Sequence, residues 1–150
     1  GESDYGCRED VARLAPRTFV SRFFDPHRKY LDAQKYSRLL NDIVPQIAEK
    51  GNMVILGRGA QFILKDRRDT YHVLLVADET DRIRFMRDTY QLSHEQARQA
   101  VAKQGKRRMK LMKLFHSEGY DLPEHYDLVL NTSKIDMDHA VELICALAGD

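Results

Sequence analysis

Apolar and polar residues fall into regular blocks from Leu31 onward, after an opening segment without clean periodicity. We therefore treat residues 1–30 as an irregular N-terminal segment and residues 31–150 as one domain. Within that domain, short apolar runs are separated by longer stretches in which apolar residues recur every three or four positions. The short runs are typical of buried strands and the longer stretches of amphipathic helices. Strands that alternate with helices predict the α/β class, with a parallel sheet and flanking helices.

Three of the apolar runs are candidate strands. They cover Met53–Leu56, Tyr71–Ala77 and Asp127–Leu130. The first run is entered through Gly51 and ends at a second glycine, and its four apolar residues fit a strand that is buried on both faces. We expect it to be an inner part of the sheet.

Four stretches carry the helical pattern, and the first of them contains a proline. The first covers Tyr36–Ala48, where we expect Pro45 to kink or split the helix because proline removes one backbone hydrogen bond and crowds the preceding turn. The second covers Asp78–Tyr90, with Tyr90 among its inward-facing residues.

The last two helices begin at residues suited to capping. Ser93 and Gln96 have the spacing of a capping box, in which each side chain bonds the backbone N–H of the other residue. Asp136 precedes the final helix and is expected to cap it. The inward stripe of that helix is predicted to be Ala140, Val141, Ile144 and Leu147.

Length and composition limit the function classes. A chain of 150 residues suits one domain, and its 24 Lys and Arg against 23 Asp and Glu give a net charge of +1. This balance argues against global attraction to nucleic acid or to a membrane surface, and no apolar stretch reaches transmembrane length. Cys7 and Cys145 lie far apart without a CxxC or a nearby His pair, which predicts reduced thiols, a cytoplasmic location and no metal site.

The segment Val54–Ala60 ends in a turn with the composition of a phosphate site. Gly57 and Gly59 let the backbone turn sharply or approach a ligand closely. Arg58 lies between them and carries a planar, five-donor guanidinium suited to phosphate oxygens. Ligands of α/β folds gather at the carboxyl ends of such strands. The alternative is an ordinary turn in which Arg58 is solvated or holds a carboxylate, and these residues alone leave both interpretations open.

A basic cluster of six cations, with no acid among them, lies within residues 103–113. Helical spacing brings Lys106, Arg107 and Lys110 to one face, where like charges repel unless an anion binds. Three interpretations remain open: a solvated or partner-bound face, a phosphate clamp, and nucleic-acid contact, although the aromatic residues of a single-strand platform are missing. The cluster consists of Lys103, Lys106, Arg107, Arg108, Lys110 and Lys113, and the residues expected to face inward are Met109, Met112 and Phe115.

A short polar segment follows the third apolar run. Asn131, Thr132 and Ser133 have side chains that stabilise turns by bonding to nearby backbone. In a nucleotide-binding α/β domain the same position can contact a purine base. Taken alone, the segment is better explained as a turn.

The order of these features resembles the cytidylate kinase-like family of P-loop nucleoside monophosphate kinases. The order is a strand and Gly-Arg-Gly, a strand and A-D-x-x-x-R-I, a basic helix, and D-L-V-L-N-T-S-K-I before a final helix. The resemblance runs from about Tyr36 to Leu147. It implies a P-loop-kinase-like α/β fold and transfer of the ATP γ-phosphoryl group to CMP or dCMP, with Mg²⁺. The segments that carry it are GNMVILGRGAQFIL, VLLVADETDRIRFM and YDLVLNTSKIDMDHAVELI.

The resemblance also implies roles for three groups of residues. Arg58, in the substrate-binding turn Gly57–Gly59, would bind the phosphate of the acceptor nucleotide. Lys106–Arg108 fall where the family's mobile lid supplies catalytic cations, and positive charge matters there because phosphoryl transfer depends mostly on positioning and charge neutralisation. Asn131–Ser133 would lie near the adenine of ATP.

The chain departs from the family pattern at the phosphate loop. No G-x-x-x-x-G-K-[ST] motif occurs in the sequence, so the recognisable first strand and its Walker A loop are missing. Tyr5–Ala12 echoes the family's glycine-rich loop, but it is two glycines short and we interpret the echo as accidental. Gly59 stands where better-characterised cytidylate kinases have an acid, which weakens the case for cytidine specificity.

Two explanations account for the missing loop. The chain is either the C-terminal part of a longer kinase or a degenerate domain that binds a nucleotide or a partner without catalysis. We therefore predict weak or no kinase activity for these 150 residues. The expected macromolecular partner is a second copy of the chain or the missing N-terminal segment of the same protein. The alternative function is a non-catalytic nucleotide-sensing or protein-interaction domain of a larger bacterial regulatory protein.

Overall fold

The computed structural model describes residues 33–115 and 121–149. Two helices precede the first strand of this part of the chain, two more separate it from the second strand, and one follows, so strands are interspersed with helices as the sequence pattern predicts. A short 3₁₀ turn at Pro123–His125 precedes the last strand. The helices are α1 Ala33–Ala48, α2 Ala60–Ile63, α3 Glu79–Tyr90, α4 His94–Met112 and α5 Met137–Ala148, and the strands are β1 Val73–Val76 and β2 Leu128–Asn131.

Strands β1 and β2 pair in parallel, which confirms the predicted α/β class with flanking helices. Val73 lies opposite Leu128 and Val76 opposite Asn131. Both strands consist mainly of β-branched and leucine residues, as is common in parallel sheets. Because the strands are parallel, their carboxyl ends meet at one edge of the sheet. That edge is where α/β folds place their ligands.

The predicted strand at Met53–Leu56 does not form. Its backbone is irregular, and the exposed fractions of Met53, Val54 and Leu56 are 49%, 47% and 61%. A parallel strand exists through its hydrogen-bond ladder with a neighbour. Among the described residues β1 pairs with β2 alone, so no ladder reaches this segment. The sequence prediction of a buried strand is therefore wrong for the structure described.

The sequence predicts a kink or a split at Pro45, and the split is not found, because helix α1 is continuous from Ala33 to Ala48. The Pro45 carbonyl accepts a hydrogen bond from Glu49 N at 2.9 Å, which continues the helical pattern beyond the proline. Leu40 and Val44 are buried on the inner face of α1. They form one buried cluster with Ala60, the first residue of α2, and Leu64, which directly follows α2.

Helices α3 and α4 pack against each other as a hairpin. Ile83, Ala97 and Val101 form its buried centre. The predicted capping box is confirmed, because the Ser93 hydroxyl accepts from Gln96 N at 3.2 Å and Gln96 Oε1 accepts from Ser93 N at 2.9 Å. Two inward-facing predictions fail at the ends of these helices, where Tyr90 is 53% and Met109 is 42% exposed.

Helix α5 begins as predicted. The Asp136 carboxylate accepts from His139 N at 2.8 Å, and Ala140 is buried in the predicted stripe. Cys145 is also buried. Cys145 is disulfide-bonded, so the expectation of reduced thiols is wrong for this residue.

Candidate functional site

Three consecutive residues with positive φ form the turn between residue 56 and α2. Gly57, Arg58 and Gly59 have φ values of 68°, 63° and 70°. The turn closes through Ala60 N, which donates to the Gly57 carbonyl at 3.2 Å. Left-handed backbone costs a residue with a β-carbon roughly 1–2 kcal/mol, a cost that glycine avoids. Arg58 is thus held in a strained conformation, and strain of this kind is frequent at functional sites.

Packing on both sides fixes this turn. The ring of Phe115 covers Gly59 so closely that a β-carbon there would lie 2.5 Å from the ring Cδ2. On the other side, Arg58 Nη1 donates to the hydroxyl of Tyr36 at 3.4 Å. The side chain of Arg58 is half-buried, so its guanidinium is partly shielded from water. The structure therefore presents the predicted phosphate ligand in one defined direction.

Helix α4 carries a basic groove, a surface cavity of about 410 Å³ formed along one helix face. Lys103, Lys106, Arg107 and Lys110 contribute four cations to it. None of the four forms an ion pair with a carboxylate within residues 33–115 and 121–149. Their spacing of three and four residues explains why they share a face. The complete lining is Gln99, Ala102, Lys103, Lys106, Arg107 and Lys110.

Arg108 does not line the basic groove. Its guanidinium donates to both carboxylate oxygens of Asp121, with Nη2 at 2.6 Å from Oδ1. The hydrogen bonds to Asp121 raise the pKa of Arg108 above its already high usual value. At about 100° of rotation per residue, Lys103, Lys106, Arg107 and Lys110 fall within roughly 100° of the helix circumference, whereas Arg108 lies about 200° from Lys106 and leaves that face. The structure thus unites Lys106 and Arg107 and separates Arg108 from them.

The partners of Arg108 are residues that the sequence reasoning missed. Asp121 also accepts a hydrogen bond from the Tyr126 hydroxyl at 3.2 Å, and Gln61 Nε2 donates to that hydroxyl at 3.2 Å. Gln61 belongs to α2, directly behind the glycine-rich turn. Nothing in the spacing of these three residues indicates that they meet.

The Asn131–Ser133 segment lies at the carboxyl edge of the sheet, where the sequence predicts it. Its side chains bond to local backbone: Asn131 Oδ1 accepts from Ser133 N at 3.0 Å, and Thr132 Oγ1 donates to the Val76 carbonyl at 3.1 Å. Ser133 Oγ accepts from Asp78 N at 2.8 Å. The three side chains therefore build a turn that ties the end of β2 to the end of β1.

The described residues contain neither a metal-binding cluster nor a membrane-spanning helix. No group of three or more His, Cys, Asp or Glu side chains within 33–115 and 121–149 is arranged to hold a metal ion. None of the described helices is both long enough and apolar enough to cross a membrane.

Comparison with known structures supports the fold. A crystal structure of an uncharacterized protein from Eubacterium ventriosum superimposes with a TM-score of 0.65 at 20% sequence identity. The matched region covers 77% of this chain and 64% of that one, so the chain spans less than two thirds of the length of its structural relative. At this identity the similarity shows the fold alone.

Comparison of the sequence with protein families gives the assignment. None of the curated proteins compared with the chain matches it. The model of the cytidylate kinase-like family matches residues 4–134. This match begins about 30 residues before the region of resemblance, which starts near Tyr36, and it includes the Tyr5–Ala12 segment. Because the match covers most of the sequence and the α/β fold agrees with it, the chain belongs to the cytidylate kinase-like family.

Proposed function

We propose that this chain is the acceptor-binding part of a nucleoside monophosphate kinase, whose intact form transfers the ATP γ-phosphoryl group to CMP or dCMP. Membership of the cytidylate kinase-like family supports a kinase-like, nucleotide-binding domain. The substrate, the donor and the roles of individual residues are our proposal. For these 150 residues alone we propose weak or no catalysis, because the sequence has no Walker A motif.

The observation that carries the proposal is the clamped turn around Arg58. A non-glycine residue keeps a positive φ only when its surroundings hold it there, and here Phe115 and Tyr36 do so. A fixed, half-buried guanidinium can donate hydrogen bonds to two phosphate oxygens at once. We assign Arg58 to the acceptor phosphate, with Gly57 and Gly59 giving the backbone its close approach.

The basic groove of α4 is proposed to receive the phosphates of the donor. The four cations lie within residues 103–110, and the seven steps between the first and the last span about 10 Å of helix, because each step adds roughly 1.5 Å. That length is comparable with a triphosphate, and the cations would offset its charge. We therefore assign Lys106 and Arg107 to donor phosphates, add Lys103 and Lys110, and remove Arg108 because Asp121 holds it.

The other implied groups find weaker support. Mg²⁺ is usually held by one or two carboxylates together with substrate phosphates, and the described residues show no cluster of acidic metal ligands. We therefore assign no metal ligand among the described residues. Asn131–Ser133 remain candidates for contact with adenine through their backbone and outer surface, since their side-chain bonds already serve the turn.

A second candidate function is a non-catalytic nucleotide-sensing or interaction domain. It is favoured by the apolar residues that the described structure leaves exposed, among them Met53, Leu56, Leu75 and Val76. Where exposed apolar groups form one contiguous patch, they mark a surface that binds another protein. A second copy of the chain is one such partner, and sedimentation would detect it as a concentration-dependent increase in mass.

Calorimetric titration with CMP, ATP and a short oligonucleotide tests the proposal. We expect CMP to bind, and Arg58→Lys to weaken its binding by about tenfold, because lysine keeps the charge but loses the planar fork. Arg84→Gln is the matched control, since Arg84 is an exposed arginine of α3 paired with Asp81. Binding of none of the three would favour the interaction domain, and salt-sensitive oligonucleotide binding that ignores Arg58 would indicate a nucleic-acid surface.

A further inference from the structure

A chain of hydrogen bonds joins α4, which carries the basic groove, to α2, which directly follows the turn Gly57–Gly59. Asp121 lies at its centre and accepts from the Arg108 guanidinium and from the Tyr126 hydroxyl. The Tyr126 oxygen in turn accepts from Gln61 Nε2 at 3.2 Å. A tyrosine hydroxyl has one donor and two acceptor sites, so Tyr126 can serve both neighbours at once. We call these four residues the Arg108 interlock.

The interlock acts on a segment that is too short to fix its own position. Helix α2 has four residues, fewer than an isolated helix needs, so contacts from outside determine where it lies. Gln61 supplies one such contact, and its Nε2 also lies 3.3 Å from Sδ of Met112. A second contact is the edge-to-face packing of Phe62 against His125, with ring centroids 5.3 Å apart.

Tyr126 and Arg108 each keep one protonation state near neutral pH. Desolvation raises the pKa of the Tyr126 hydroxyl, so it remains a neutral hydrogen-bond donor near neutral pH. The Arg108 guanidinium retains its charge at any ordinary pH. Near neutral pH the Tyr126 hydroxyl can therefore donate to Asp121 while it accepts from Gln61.

We propose that Asp121 and Tyr126 are positioning residues for the turn Gly57–Gly59, which carries Arg58. They hold Gln61 against the end of α4, and Gln61 fixes the backbone from which Arg58 projects, three residues earlier. In this interpretation Arg108 neutralises and orients Asp121, and it does not contact the donor phosphates. The inference rests on the proposed role of Arg58 and adds residues that neither the sequence pattern nor the family assignment marks.

Replacement of Tyr126 by phenylalanine removes the hydroxyl and keeps the ring. We expect Tyr126→Phe to weaken CMP binding by about three- to tenfold, the equivalent of one hydrogen bond, and to leave binding of inorganic tripolyphosphate to the basic groove within about twofold. Tyr71→Phe is the control, because Tyr71 is 50% exposed. Unchanged CMP binding overturns the proposal, and so does an equal loss of both ligands, which would indicate general destabilisation.

Amide hydrogen exchange gives a second readout that needs no nucleotide. We expect the amides of residues 57–63 to exchange faster in Tyr126→Phe than in wild type, and Tyr71→Phe to leave them unchanged. If the wild-type chain binds no CMP, the proposed function fails while faster exchange still supports the positioning role. Exchange that is identical in Tyr126→Phe and wild type overturns the positioning role even if CMP binds.

Discussion

The ring of Phe115 occupies the space that a side chain at Gly59 would need. A β-carbon on Gly59 would lie 2.5 Å from Cδ2, 2.6 Å from Cε2 and 3.1 Å from Cγ of that ring. Since Cγ is attached to the Phe115 β-carbon, the ring cannot avoid the clash by moving its tip alone. The turn and Phe115, three residues after the end of α4, therefore fit together as observed only when residue 59 is glycine.

Substitution of this glycine has a matched control two residues earlier. We expect Gly59→Ala to lower the free energy of unfolding by about 2–4 kcal/mol, from backbone strain and overpacking together. Gly57 has nearly the same φ but nothing within 4 Å of its β-position, so Gly57→Ala should cost only about 1 kcal/mol. Urea denaturation measures both, and equal losses would show that the Phe115 contact is unimportant.

Replacement of Arg58 by glycine separates stability from binding. Glycine relieves the positive-φ strain, so we expect the free energy of unfolding of Arg58→Gly to be unchanged or higher by up to about 1 kcal/mol. CMP binding should nevertheless be lost with the guanidinium. Parallel denaturation and calorimetry check the two effects. A large loss of stability would mean that the contact with Tyr36 determines the turn.

Cations of the basic groove and Arg108 should differ in their response to the same substitution. We expect Lys106→Gln and Arg107→Gln each to weaken tripolyphosphate binding by about three- to tenfold and to reduce its salt dependence. Arg108→Gln should change the affinity by less than about twofold, because Asp121 already holds this guanidinium. Titration at two salt concentrations measures both quantities. If Arg108→Gln weakens tripolyphosphate binding as much as Arg107→Gln does, Arg108 belongs to the basic groove and our assignment is wrong.

Glu95 in the first turn of α4 gives an acid-range prediction. Hydrogen bonds from Arg98 and Gln99 lower the pKa of its carboxyl from 4.5 to about 2. Because the pKa is lower in the folded state, the associated stabilisation is fully present above pH 4.5 and is lost as the pH falls through 2. NMR titration should show this midpoint, and Arg98→Gln should raise it while Arg84→Gln does not.

Pro45 gives a prediction about the stability of helix α1. Helix α1 continues through this residue although proline has no N–H to offer the Asn41 carbonyl. We expect Pro45→Ala to raise the free energy of unfolding by about 1–3 kcal/mol, because it restores that bond and the helix propensity of alanine. Thermal denaturation measures the change. A lower melting temperature in the variant would show that the proline ring makes a stabilising contact.

Features that depend on neighbouring positions were predicted well. The capping box of Ser93 and Gln96, the cap at Asp136 and the α/β alternation are all confirmed, because each follows from residues within a few positions of one another. The strand predicted at Met53–Leu56 failed because a strand needs a partner that local pattern does not supply.

The candidate site divides in the same way. The sequence by itself determined the family resemblance, the Gly-Arg-Gly turn and the concentration of cations within residues 103–113, since composition and helical spacing are enough to define them. Only the tertiary structure decided that Phe115 requires glycine at 59 and that Asp121 draws Arg108 away from Lys106 and Arg107. Both relationships join residues far apart along the chain, and such contacts exist only after the helices have packed.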